Sequence, residues 1–484
     1  MEQTDAPSPR MEYDLSTKLV KASTTYEECL GRNWLLFAPD RTGWPVIVPD
    51  WIHALLDRFD TLSAVGDVLS EFPSRHPDRP VKYGLETLME AVAFLEDGGF
   101  LRTDRAELPY PLPDQSFSRP PKSVGVWLHI TNACNLTCSY CFVTEKNNVV
   151  MSTAVSEATV SSLARTAAAH GLEKVIVKFA GGEPTLVMPA VERFRDQLQT
   201  ALEGTGIGMH TALLSNGTRI TERVIEFLRR PNSSISISLD GYGDAHNIYR
   251  CTRSGSPTWQ TIRSNIERLQ NHGISPYIMA TISDRTRHSL PELVQWTISL
   301  GLRTRLSVVR EPHRGSDQQS EFAAYAARMA SSFTQALAVL EAEELQFDPR
   351  LDFEICELRF DHPAYWVACG IGANHLVVKT DGTMVSCPMM VDRSGRPPGD
   401  DMLSACRQTF PYTATTARSE GMECLSCRWF PVCAGGCPVT NELIWGHPFA
   451  RSPLCAFFQS VIPRYLSMFG KKLEQQHHRL QTEA

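Results

Sequence analysis

Apolar positions along the chain fall into three regimes. Between residues 11 and 50, short apolar runs alternate with turn residues, as in Trp34-Leu35-Leu36-Phe37 before Pro39-Asp40-Arg41-Thr42-Gly43. That pattern predicts a small hairpin. The spacing then becomes helical. Trp51, Leu55 and Phe59 lie about one turn apart, Val65, Leu69 and Phe72 repeat the stripe, and Leu85, Leu88, Val92 and Leu95 form a third that closes at Gly98-Gly99. A hairpin with three helices makes a first domain over 11–104, after a disordered tail at 1–10. Pro109, Pro111, Pro113, Pro120 and Pro121 exclude regular helix from a linker at 105–122.

From 123 to 345, strand and helix patterns alternate. Strands are predicted at 124–131, 174–180, 209–215, 234–239, 275–282 and 304–309, and helices at 153–170, 188–203, 221–230, 258–272, 289–300 and 320–342. Six βα units in series place the chain in the α/β class, with a parallel sheet covered by helices and too few strands for a full barrel. Chemistry in such sheets sits at the C-terminal ends of the strands. Residues 346–470 are cysteine-rich and less periodic. The tail 471–484 is polar, and its His477 and His478 read as solvent-facing.

Composition narrows the function. Of 484 residues, 42% are hydrophobic and 21% charged, enough for a large core without disulfides. The net charge of −7 argues against a nucleic-acid binder. No run of apolar residues is long enough for a membrane span. The N-terminus has no apolar signal region, so a cytoplasmic protein is expected. The 14 cysteines are then expected to be reduced. Clustered as they are, they point to metal binding or chemistry.

Cys134-x3-Cys138-x2-Cys141 follows the first predicted strand. Three thiolates so close together can each hold one iron of a cubane, which leaves the fourth iron open to a substrate or cofactor. Zinc is the alternative, although structural zinc sites close with four ligands. Further motifs follow in order: Gly181-Gly182-Glu183-Pro184 ends the second strand, Ser215-Asn216-Gly217 the third, and Ser238-Leu239-Asp240-Gly241 the fourth, with Arg250 twelve residues after Ser238. On these residues the chain resembles the radical SAM superfamily. The resemblance implies a [4Fe–4S] cluster on Cys134, Cys138 and Cys141. It implies S-adenosylmethionine (SAM) bound at the open iron, and a 5′-deoxyadenosyl radical that abstracts a substrate hydrogen. Gly181, Gly182, Glu183 and Pro184 would hold the SAM amino group, since glycine permits close approach and a carboxylate pairs with an ammonium; read alone, they make a Gly-Pro turn. Ser215 is a further cofactor-binding candidate. Ser238 and Arg250 would contact the SAM carboxylate, for which a guanidinium is suited; a surface ion pair is the plainer reading of Arg250. Tyr140 matches the aromatic near the adenine, with core packing as its alternative.

Downstream, Cys369 and Cys387 precede Cys424-x2-Cys427-x5-Cys433-x3-Cys437 and then Cys455. This spacing resembles the SPASM extension of radical SAM enzymes, which implies two auxiliary [4Fe–4S] clusters. By that resemblance Cys369, Cys387 and Cys437 hold the first, with Cys356 as a candidate eighth thiolate. Cys424, Cys427, Cys433 and Cys455 hold the second. Without Cys356, one auxiliary iron would be open. Zinc ribbons also fit the C-x2-C and C-x3-C pairs. Cys29, Cys251 and Cys406 read as incidental thiols.

The first domain resembles the winged-helix peptide-recognition domain (PqqD-like) of enzymes that modify ribosomally made peptides. Such a domain docks a leader peptide as an added strand. The alternatives are a stabilising extension and a nucleic-acid-binding winged helix, which the acidic chain disfavours. Taken together, the expectation is a radical SAM oxidoreductase and peptide maturase. It would form a C–C or thioether crosslink in a precursor peptide and draw electrons from a flavodoxin- or ferredoxin-type donor. Two alternatives stay open: a formylglycine-forming sulfatase maturase, and a metal-bound peptide scaffold without catalysis. No catalytic acid or base is fixed. Asp392 stands near an aspartate of sulfatase-maturing relatives, but Pro388-Met389-Met390-Val391 intervenes and a surface role is expected.

Overall fold

A computed structural model describes residues 14–40, 43–75, 84–103, 121–309, 318–342, 344–360, 369, 371, 374–409 and 422–483. The predicted tail at 1–10 and the linker up to residue 120 lie outside them. The described residues fall into two compact units, one up to residue 103 with Phe360 and 473–483, the other comprising 121–359 and 369–472.

The first unit holds β1 (Lys18–Lys21), β2 (Tyr26–Cys29), β3 (Asn33–Phe37), β4 (Val46–Pro49), α1 (Asp50–Leu56), β5 (Ser63–Ala64), α2 (Val65–Arg75), α3 (Leu85–Asp97) and β6 (Leu101–Arg102). The three predicted apolar stripes are these three helices. Leu55, Phe59, Leu69, Phe72, Leu88, Val92 and Leu95 meet Leu19, Leu36 and Val48 in one core. The strands exceed the predicted hairpin. They form two antiparallel sheets, ordered β5-β1-β6 and β2-β3-β4. Strands of two to four residues, such as β5, β6 and β1, are too short for alternation to announce them.

The second unit is built on β7 (Ser123–Thr131), α4 (Thr153–Ala169), β8 (Lys174–Gly181), α5 (Met188–Leu202), β9 (Gly208–Ser215), α6 (Glu222–Arg229), β10 (Ser233–Ser238), α7 (Asp244–Asn247), α8 (Trp259–Asn271), β11 (Tyr277–Ile282), α9 (Leu290–Ser299), β12 (Thr304–Val308) and α10 (Gln318–Leu340). Ser152 and Thr221 cap α4 and α6 by accepting from Val155 N and Val224 N. β13 (Phe353–Ile355), β14 (His375–Val378), β15 (Met384–Val385), α11 (Met402–Thr409), α12 (Phe430–Cys433), α13 (Pro438–Trp445) and α14 (Cys455–Glu483) follow. Among the described residues no helix is long and apolar enough to cross a membrane.

The sheet order is β13-β12-β11-β10-β9-β8-β7-β14-β15. The six predicted strands therefore lie side by side and parallel, as βα units require. The sheet then runs past the predicted boundary at 345. β13 pairs parallel with β12, and β14 parallel with β7, so part of the cysteine-rich region is woven into the same sheet.

Alternation sets the two faces. Val124, Val126, Leu128, Val175, Val177 and Phe179 are buried apolar positions on one of them. The register puts Trp127 beside Lys178, and Arg305 beside Glu354, on the other. That second face is polar, and it curls. Lys178 on β8 and Glu354 on β13 act on each other electrostatically, although five strand spacings would set them about 24 Å apart in a flat sheet.

Candidate active site

The segment after β7 is held in place mainly by backbone. Gly182 N donates to Thr131 O at 2.7 Å and Glu183 N to Ala133 O at 2.7 Å. A Cβ at Gly181 would stand 2.2 Å from Thr131 O, and one at Gly182 2.0 Å from Ala133 O. Only glycine permits this approach, and Gly181 also has φ +121°. These two glycines thus press the end of β8 against the cysteine loop. Across the loop, Thr137 N donates to Cys251 O at 3.1 Å. Cys251, unassigned from sequence, therefore lies on the strip that carries Arg250 to the site.

Glu183 is fully buried. Its Oε1 accepts from Thr185 N (3.1 Å), Thr185 Oγ1 (2.6 Å) and Ser215 Oγ (2.8 Å), and its Oε2 from Asn216 N (2.6 Å). Burial pushes its pKa up, and these four donors oppose the shift. Pro184, also buried, opens the short helical turn that Glu183 caps. Glu183 and Ser215, both expected at SAM, are thus joined to each other and tie β8 to β9. Asn216 extends the tie: its Nδ2 donates to Asn135 Oδ1 at 2.8 Å and lies 3.9 Å from Cys134 Sγ.

Arg250 is not on the open surface. Its Nε pairs with the fully buried Asp240 at 2.5 Å, and its guanidinium lies 5.7 Å from the centre of the Tyr140 ring. Tyr140 OH also donates to Asp240 Oδ2, and Thr281 N donates to Oδ1 at 2.9 Å. Burial works against the Arg250 charge, but Asp240 prevails and keeps it protonated. Burial likewise pushes the Tyr140 phenol up. Among the described residues, the terminal nitrogens of Arg250 and the hydroxyl of Ser238 make no hydrogen bond. Asp240 and Asn216 were visible in the motifs but carried no assigned role; the signal was their place at a strand end.

Burial raises the Cys134 and Cys138 thiols, and Cys141 adds to both shifts by its charge. A further set gathers downstream. Burial pushes Cys424 up to about 11 and Cys433 higher, and Cys433 also feels Cys424, Cys427 and Cys455. Cys387 and Cys437 pack together with Ile371 and Val439. Between Cys433 and Cys437 the chain makes a left-handed run, with Ala434, Gly435 and Gly436 at φ 48°, 73° and 83°. That run parts the two cysteines of the C-x3-C pair between two groups. Cys356 Sγ accepts from Arg305 Nη2 at 3.1 Å, and Cys369 is exposed.

These residues fit the expected groups. Cys134 and Cys138 each feel Cys141 within one loop, and Cys424, Cys427, Cys433 and Cys455 form a second group, the thiolate sets that a cluster requires. A buried guanidinium with uncommitted donors suits a carboxylate.

A curled parallel sheet with a three-cysteine loop at the end of its first strand, facing a buried arginine, defines an iron–sulfur enzyme. Residues 128–297 match the model of the radical SAM superfamily, so the chain carries a radical SAM domain. Enzymes of that superfamily use a [4Fe–4S] cluster and SAM. The cysteine-type anaerobic sulfatase-maturating enzyme of Clostridium novyi (strain NT) is 20% identical over 362 residues, 69% of this chain and 92% of that protein. That of Clostridium perfringens (strain 13 / Type A) is 22% identical over 365 residues, 70% and 96%. A solved structure, native anSMEcpe with bound AdoMet and Cp18Cys peptide, superposes with TM-score 0.55 at 18% identity, over 72% of this chain and 99% of that one. At that identity the likeness is one of fold.

Proposed function

We propose that this enzyme is a SPASM-type maturase that oxidatively modifies a ribosomally made precursor peptide, most simply by a C–C or thioether crosslink. Cys134, Cys138 and Cys141 would hold the SAM cluster. Arg250 and Ser238 would receive the SAM carboxylate, and Tyr140 would lie near the adenine. When bound, cluster and SAM supply a carbon radical able to take a hydrogen atom from substrate. Asp240 keeps Arg250 aimed and charged, and Glu183 with Asn216 fixes the cysteine loop. The grouping of Cys424, Cys427, Cys433 and Cys455 is the observation that carries the SPASM reading. They would hold one auxiliary cluster. Cys369, Cys387 and Cys437 would hold the other, with Cys356 as candidate fourth ligand. A chain with thiols for three clusters offers a path for the electron that an oxidative crosslink releases. The first unit would act as the winged-helix dock for a leader peptide, and a cytoplasmic flavodoxin or ferredoxin would supply electrons.

Peptide substrates are supported by anSMEcpe, whose structure holds a Cp18Cys peptide. The sulfatase-maturating relatives favour formylglycine formation as the second reading. Anaerobic protein should carry about twelve irons and release 5′-deoxyadenosine when reduced with SAM. Co-expression with short peptides encoded nearby should remove two hydrogens per bond formed. A peptide left unmodified beside a converted sulfatase segment would replace the first reading by the second.

A further inference from the structure

A cavity of about 310 Å³ opens beside the end of β7. It is walled by His129 and Asn132 from that end, by Thr144 just past Cys141, and by Lys379, Asp381 and Asp392 around the β14–β15 hairpin. It thus lies between the three-cysteine loop and the segment that leads to Cys387. His129 is 3% exposed, and both ring nitrogens are buried with no hydrogen-bond partner. Two residues earlier on the same face, Trp127 Nε1 is orphaned in the same way. Buried polar atoms without partners are rare in folded proteins, and a ligand is one explanation for them. The site is built for the ring. A Cβ at Gly181 would stand 3.0 Å from His129 Cδ2 and 3.2 Å from Nε2, so the glycine that presses on the cysteine loop also makes room for the imidazole.

We propose that this cavity receives a neutral polar side chain of the substrate, a carboxamide or a hydroxyl, and that His129 is the residue that recognises it. The proposal rests on the reading of the chain as a peptide-modifying enzyme. Burial and the nearby Lys379 hold the imidazole neutral, against Asp392 and Asn132. A neutral ring donates at one nitrogen, accepts at the other, and can exchange the two. Groups that themselves donate and accept match it in either tautomer. The charged neighbours argue the same way. Asp392 Oδ2 accepts from Thr144 N and Oγ1, and Asp381 Oδ1 from Thr383 N and Oγ1. Lys379 Nζ donates to Arg393 O. Asp381, Asp392 and Lys379 thus already hold local partners, while the buried imidazole nitrogens do not; Glu145, the remaining charge of the wall, is exposed. A carboxylate would enter against Glu145, Asp381 and Asp392.

The probes are tripeptides Ac-Ala-X-Ala-NH2, titrated by surface plasmon resonance on anaerobically reconstituted enzyme with SAM present. Asn, Gln, Ser and Thr at X should bind about tenfold or more tighter than Leu and Val, the scale of one hydrogen bond to an otherwise unpaired group. His129→Leu should abolish the preference, and His129→Asn, which keeps a donor and an acceptor, should retain part of it. Equal affinity for every X, binding of none, tightest binding of Asp or Lys, or a preference that survives His129→Leu would each overturn the assignment. Failure here with a co-expressed peptide still modified removes the pocket and leaves the maturase reading intact. A preference that depends on His129 beside an unmodified peptide does the reverse.

Discussion

Glutamine is nearly isosteric with glutamate, yet at position 183 it should be a severe change. Both Glu183 oxygens accept from main-chain N–H groups, Oε1 from Thr185 N and Oε2 from Asn216 N. Those donors cannot rotate away. A glutamine has one acceptor oxygen, so its amide nitrogen must face one of them. The hydroxyls of Thr185 and Ser215 can turn, but the backbone cannot. Glu183→Gln therefore loses at least one charge-assisted hydrogen bond, about 1.5–3 kcal/mol, and strands a buried N–H at about 1–3 kcal/mol. The sum is about 2.5–6 kcal/mol. For a unit of this size that lowers the melting midpoint by several degrees. The damage also has an address, because Asn216 leads from Glu183 to the Cys134 loop. Thermal melting of anaerobic protein, paired with iron analysis, should show the lower midpoint and a deficit confined to the SAM cluster. A midpoint within about 1 °C of the parent, with full iron, would refute the donor argument.

Arg250→Lys keeps a charge but loses the planar fork; SAM affinity by equilibrium dialysis should fall about tenfold, and an unchanged value would exclude Arg250 from the carboxylate site. Cys433→Ala and Cys437→Ala should each cost about four of twelve irons, and the double variant about eight; a double loss no larger than the single would mean that both cysteines serve one group. Burial depresses His246 to about 4, against an unfolded value near 6.5. The unfolded chain therefore binds a proton that the folded one refuses between those pH values. The stability from His246 is complete above about pH 6.5 and is lost as pH falls toward 4, by roughly 3 kcal/mol. His246→Asn should flatten that limb in denaturant titrations between pH 4 and 7, and a slope equal to the parent's would refute it.

What the sequence discloses depends on whether the signal is local. The strands β7 to β12 could be placed within a residue or two because each carries a run of buried apolar positions between turn residues. The cysteine loop, the GGEP turn and Arg250 were legible because their chemistry lies in short spacings. β13, β14 and β15 were not, because strands of two to four residues inside a cysteine-rich stretch have no period of their own and are held by long-range pairing with β12 and β7. The meaning of Glu183 was hidden for a related reason. A carboxylate in a glycine turn suggests an ammonium ligand, but nothing near it in sequence says that β9 brings up Ser215 and the Asn216 N–H. Asp240 is the mirror case. Its partner Arg250 is only ten residues away, yet the pair becomes an aimed cation only because Thr281, from the next strand, and Tyr140, from the cysteine loop, close on the same carboxylate. In both cases a short motif names the atoms, and strands remote in sequence decide whether those atoms face the ligand or each other.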